Sequence, residues 1–93
     1  MKKIVLARLT VREESISAFR QLVTELVSNA QKEKGCLSYN AYENCVLKGP
    51  EFVFWEEYEN DFALQQHNES AHFKQFFAAA APLFSCEPEI IVK

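Results

Sequence analysis

The chain has 93 residues, 48% hydrophobic and 25% charged, with ten Lys and Arg against thirteen Asp and Glu. That is enough chain for one globular core and too little for two, with the composition of a folded domain rather than of a disordered segment or a membrane protein. The formal charge of −3 is spread without any run of like charges longer than two residues, which excludes the clustered basic surface that nucleic-acid binding needs.

Met1-Lys2-Lys3 is followed by only four apolar residues before Arg8, too few for a signal peptide. The least polar window, Phe76 to Cys86, is about half a membrane span and is interrupted by Pro82. A cytoplasmic protein without membrane contact is expected. Cys36, Cys45 and Cys86 form no CxxC pair and are odd in number, so they read as reduced thiols acting as small buried hydrophobes.

Lys3 to Val11 is an apolar, β-branched run of strand length. From about Glu14 to Lys34, Ile16, Phe19, Val23, Leu26, Val27 and Ala30 recur at steps of three and four for most of the run, which predicts an amphipathic helix. Glu13 and Glu14 suit its start, Lys32 and Lys34 its end, and Gly35 a left-handed C-cap. Cys36 to Cys45 alternates as a second strand, and Lys48-Gly49-Pro50 reads as a turn. Glu51 to Tyr58 is the strongest strand pattern, so strands two and three form an antiparallel hairpin. Asn60 is a good N-cap for a short helix from Asp61 to about Asn68, and Ser70 for another through Ala81, closed by Pro82. Glu87 to Val92 supplies a fourth strand.

The order β-α-β-β-α-β is the signature of a ferredoxin-like α+β fold, one antiparallel sheet with helices on one face. Strand three is apolar on both parities, with Phe52, Phe54 and Tyr58 on one and Val53 and Trp55 on the other. Helices cover only one face. The second face therefore calls for another chain, and a homodimer built sheet to sheet is expected.

Three segments carry a family resemblance: Glu33-Lys34-Gly35-Cys36-Leu37-Ser38-Tyr39, Phe52-Val53-Phe54-Trp55-Glu56-Glu57-Tyr58, and Ala63-Leu64-Gln65-Gln66-His67-Asn68-Glu69-Ser70-Ala71-His72-Phe73. In this order and spacing the chain resembles the antibiotic biosynthesis monooxygenase domain, a dimeric α/β barrel group that includes quinol monooxygenases. The haem-degrading members use an Asn on strand one, a Trp on the short helix and a His on the next. Those positions fall at Ala7, near His67 and near Phe76 or Phe77, so none of the three is retained. The resemblance points instead to the quinol monooxygenase-like branch, which works without metal or flavin and whose members also include isomerases of small sugar-derived signals.

Cofactor-free oxygenation requires a substrate anion able to give an electron to triplet dioxygen, hence a base in a dry cavity. His67 is the candidate base, because imidazole titrates near neutrality. Glu56 lies in an otherwise aromatic strand, where a charge is costly unless partnered; it can orient His67 or take a proton itself, or form an ion pair with Arg8. Glu57, on the other parity, is the rival for the buried position. Tyr39, Tyr42 and Tyr58 offer phenol donors, and Trp55, Phe73, Phe76 and Phe77 can wall a pocket for a planar ring, Tyr39 and Tyr58 contributing to substrate binding. His72 follows His67 by five residues, a spacing that leaves the two on different helix faces unless the chain breaks before Ser70, so no metal site is expected.

Together these features predict a homodimeric monooxygenase acting on a quinol-like or polycyclic phenol with dioxygen. The alternatives are an isomerase of a small keto or hydroxy compound and a non-catalytic metabolite-binding dimer.

Overall fold

The computed structural model describes residues 1–46 and 50–93. Strand β1 spans Lys3–Thr10 and is followed by a 3-10 turn, Glu13–Ser15, and helix α1, Ile16–Ala30. Strands β2, Cys36–Glu43, and β3, Glu51–Tyr58, precede helices α2, Asp61–Glu69, and α3, Ala71–Ala80; a second 3-10 turn, Ala81–Leu83, leads to β4, Glu89–Val92. The sheet order is β2-β3-β1-β4, every neighbour antiparallel, as the ferredoxin-like reading requires. All but Pro50 of the expected Lys48-Gly49-Pro50 turn lies outside the described residues.

Alternation along the strands sorts the two faces. Val5, Ala7 and Leu9 of β1 and Phe52, Phe54, Glu56 and Tyr58 of β3 are buried under the helices. Phe19, Val23, Leu26 and Ala30, one stripe of α1, meet them together with Phe76 and Ala80 of α3. The Phe19 ring lies 4.8 Å from Phe52 and 5.9 Å from Phe76, tying both helices to the sheet. On the other face Leu6 pairs with Trp55 and Ile91, and Trp55 with Asn40, and no helix of the described residues covers them. β4 is exposed along its whole length, because the helices stop over β1.

Helix α1 ends at Ala30, four residues short of the expected Lys34. Ala30 is the last apolar position, and Gln31 to Lys34 carries no apolar side chain to extend the stripe, so the chain turns through Glu33 instead. Asn60 and Ser70 cap α2 and α3 as expected, accepting from the Ala63 and Phe73 backbone N–H groups at 2.8 and 3.3 Å. Cys36 is half-buried, but Cys45 and Cys86 are exposed, contrary to their reading as buried hydrophobes: Cys45 follows the end of β2 and Cys86 precedes β4.

Gly35 joins this layer to the sheet. Its φ of 92° is in the left-handed region, its carbonyl accepts from the Glu59 N–H at 2.9 Å, and an added Cβ meets the Ala63 Cβ at 2.8 Å. Gly35→Ala should lower unfolding stability by about 1–3 kcal/mol in urea titration, and a wild-type midpoint would contradict the close approach of β2 and α2.

Candidate active site

A cavity of about 170 Å³ lies between the buried sheet face and helices α2 and α3, near the uncovered β4 residues Ile90 and Val92. Phe54, Phe73, Phe76 and Phe77 make much of its wall. Glu56 supplies the carboxyl group, and Tyr39 and Asn68 the other polar side chains.

Period-two alternation on β3 sets Glu56 on this face, 6% exposed, and Glu57 on the open one, beside Lys2 and the Trp55 indole. Glu56 is paired across the strands with Val5 and Tyr39. The Tyr58 hydroxyl, two residues along the same face, donates to Glu56 Oε1 at 2.7 Å, and the Tyr39 hydroxyl also donates to this carboxyl. Burial pushes the Glu56 pKa up to about 7, against the downward pull of the two tyrosine hydrogen bonds. Burial and the adjacent carboxylate push both tyrosines far upward, so they remain donors. Arg8 points away, pairing with Glu51 and Glu89, so the Arg8–Glu56 ion pair does not form.

His67 sits behind the cavity rather than on its wall. In α2, Leu64 and Asn68 are four residues apart and face the cavity, whereas Ala63 and His67, one step round the helix, face the core. The imidazole is 1% exposed and packs on the rings of Tyr39, Tyr58 and Phe73 with centroids 5.0–5.5 Å away. Its Nδ1 lies 2.9 and 3.1 Å from the two Glu33 carboxylate oxygens, while Nε2 is buried without a hydrogen-bond partner among the described residues. Burial lowers the His67 pKa despite the hydrogen bond and charge of Glu33, which favours neutral imidazole.

Of the residues expected at the site, Glu56, Tyr39, Phe73, Phe76 and Phe77 line the cavity. Tyr58 lies beneath it as a partner of Glu56, His67 lies behind the tyrosines, and Trp55 is on the opposite face, 39% exposed. Sequence reasoning missed Glu33 and Asn68. The charge pattern that extends the helix to Lys34 hides Glu33, although the loss of apolar positions after Ala30 is a visible signal; Asn68 shares the Leu64 face at helical spacing. Cys36 is unsuited to nucleophilic work, since burial, reinforced by Glu33, raises its thiol to about 11.

The model of the antibiotic biosynthesis monooxygenase family matches residues 3–79. The chain belongs to that family. Among its relatives, "Putative monooxygenase Rv0793" of Mycobacterium tuberculosis is 33% identical over 87% of this chain and 78% of that protein. "Putative monooxygenase YcnE" of Bacillus subtilis is 28% identical over 95% of this chain and 92% of its own length. The solved structure of the Mycobacterium tuberculosis protein superposes with a TM-score of 0.93 at 30% identity, covering 100% of this chain and 93% of that one. This antibiotic biosynthesis monooxygenase domain thus has the family fold along its full length.

The raised Glu56 pKa has a thermodynamic consequence. The fold prefers the protonated carboxyl, so its contribution is fully present below the ordinary value of 4.5 and is lost as pH rises through about 7. The stability difference between wild type and Glu56→Gln should fall by on the order of 3 kcal/mol from roughly pH 4 to pH 8 in denaturant titrations. A pH-independent difference would show that Glu56 is not held in a dry site.

Proposed function

We propose that the protein is a monooxygenase that hydroxylates a single-ring, hydroquinone-like phenol, with Glu56 as its base and no bound cofactor. The observation that carries this reading is a single carboxyl, with a pKa near 7, on the wall of a largely aromatic and aliphatic cavity. A volume of about 170 Å³ suits one six-membered ring, since a cavity of about 150 Å³ holds benzene. That narrows the expected substrate from polycyclic phenols to monocyclic ones.

Glu56 takes the phenol proton, and the tyrosine hydroxyls stabilise its ionised form before transfer. The phenolate passes one electron to dioxygen, the resulting radical pair joins at a ring carbon, and the hydroperoxide loses water. Hydroquinone and dioxygen thereby give hydroxyquinone and one water, with all electrons supplied by the substrate. Asn68 offers an amide donor at the same cavity for the second substrate oxygen. His67 acts through the tyrosines that it packs against, as a positioning residue. Exclusion of water by the phenylalanines protects the anion from reprotonation by solvent.

Oxygen uptake with a panel of substituted hydroquinones tests the reading. Wild type should exceed the spontaneous rate, kcat/KM should rise with pH about a midpoint near 7, and Glu56→Gln should lose about 10²–10⁴-fold. Equal rates for both proteins and buffer would overturn it; turnover of a keto or hydroxy compound under anaerobic conditions would replace it with the isomerase.

The open sheet face supports the homodimer as the working form. Trp55, Tyr42, Val53, Leu6 and Ile91 form an apolar strip there, with Trp55 and Ile91 39% and 50% exposed. A second copy, facing the first through the same strip, buries it on both. Sedimentation at micromolar concentration should give a dimer for wild type and a monomer for Trp55→Glu; a monomeric wild type would contradict the packing.

A further inference from the structure

Outside the cavity wall, three elements converge on one point. Glu33 lies in the turn after α1, His67 near the end of α2 and His72 at the start of α3. The five-residue spacing of the histidines does not keep them apart, because the chain leaves α2 at Ser70 in extended conformation and restarts as α3. His67 Nδ1 lies 2.9 Å from Glu33 Oε2, and His72 Nε2 contacts the same oxygen. One ligand atom from each residue lies within 4.8 Å of the other two.

We propose that Glu33, His67 and His72 form a binding site for a divalent ion of the zinc class. Two imidazole nitrogens and one carboxylate oxygen match the preference of borderline-soft ions over magnesium or calcium, which select oxygen. A tetrahedral ion with bonds of about 2.0–2.2 Å holds its donors roughly 3.4 Å apart, so only a small rearrangement separates the hydrogen-bonded cluster from a ligand set. Glu33 and His72 are partly exposed, and a groove lined by Glu33, Lys34, Gln66, Glu69 and Ser70 gives an entry route and room for a water as fourth ligand.

Without the ion, ring N–H groups at His67 Nδ1 and His72 Nε2 donate to the Glu33 carboxylate. On binding, each ring takes the tautomer with its other nitrogen protonated, leaving His67 Nδ1 and His72 Nε2 as lone-pair donors; no oxidation is involved. The ion would clip the end of the α1 segment to both later helices. Its role is structural, since none of the three ligands lines the cavity, and its test reads binding rather than turnover.

The experiment uses the full chain carrying Cys45→Ser and Cys86→Ser, which removes the two exposed thiols as competing ligands. After chelator treatment and removal of the chelator, Zn²⁺ or Co²⁺ is added near neutral pH. Calorimetry should give one ion per chain, Co²⁺ should develop visible ligand-field bands, and Tm should rise by on the order of 10 °C at about 100-fold excess over Kd. Glu33→Gln, nearly isosteric, and His72→Asn should each abolish all three signals while retaining the far-ultraviolet circular dichroism of the fold. No one-to-one binding by the protein lacking Cys45 and Cys86, or binding unchanged in both variants, would overturn the site.

Discussion

The register of β3 is the constraint on which the rest of the molecule depends. Glu51–Tyr58 alternates so that a shift of one residue would exchange Phe52, Phe54, Glu56 and Tyr58 for Val53, Trp55 and Glu57 beneath the helices. That exchange would remove the aromatic core contacts of Phe19 and Phe76 and bring Glu57 away from Lys2 and the Trp55 indole. It would also separate Glu56 from Tyr39 and Tyr58, which reach it only because a cross-strand neighbour and a residue two positions along share its face. One register therefore fixes the core, the cavity and the chemistry of its carboxyl together.

Much of this was legible in the sequence. Periodicity located each strand and helix, because strands of period two and a helix stripe from Ile16 to Ala30 are one-dimensional records of a face. The caps at Asn60 and Ser70 were legible for the same local reason. Lys32 and Lys34 were less informative: they suit a helix C-terminus electrostatically, yet without apolar partners they do not hold the helix, which ends at Ala30.

The site was legible in its composition but not in its internal geometry. Glu56 and the phenylalanines were visible as a charge in an aromatic strand and an apolar helix face. That Glu56 rather than His67 lines the cavity was not, since it depends on a rotation of one residue about α2: Leu64 and Asn68 meet the cavity, while Ala63 and His67 meet the core. Likewise, no local pattern links Glu33 to residues 34 and 39 positions later. That meeting requires the early end of α1 and the break at Ser70, two features set by the packing of three elements.

The two tyrosines connect these levels. Their hydroxyl ends hold Glu56, and their rings bear on His67, whose other side is fixed by Glu33. A buried carboxyl without donors would remain protonated well above neutrality, and one with strong cationic partners would stay ionised and be a poor base. Two neutral phenols lie between these limits, bringing a buried carboxyl to about 7. The apolar wall raises the pKa and the tyrosines restrain it, so the protonation of Glu56 is a property of how β2, β3 and α2 pack rather than of the carboxyl alone.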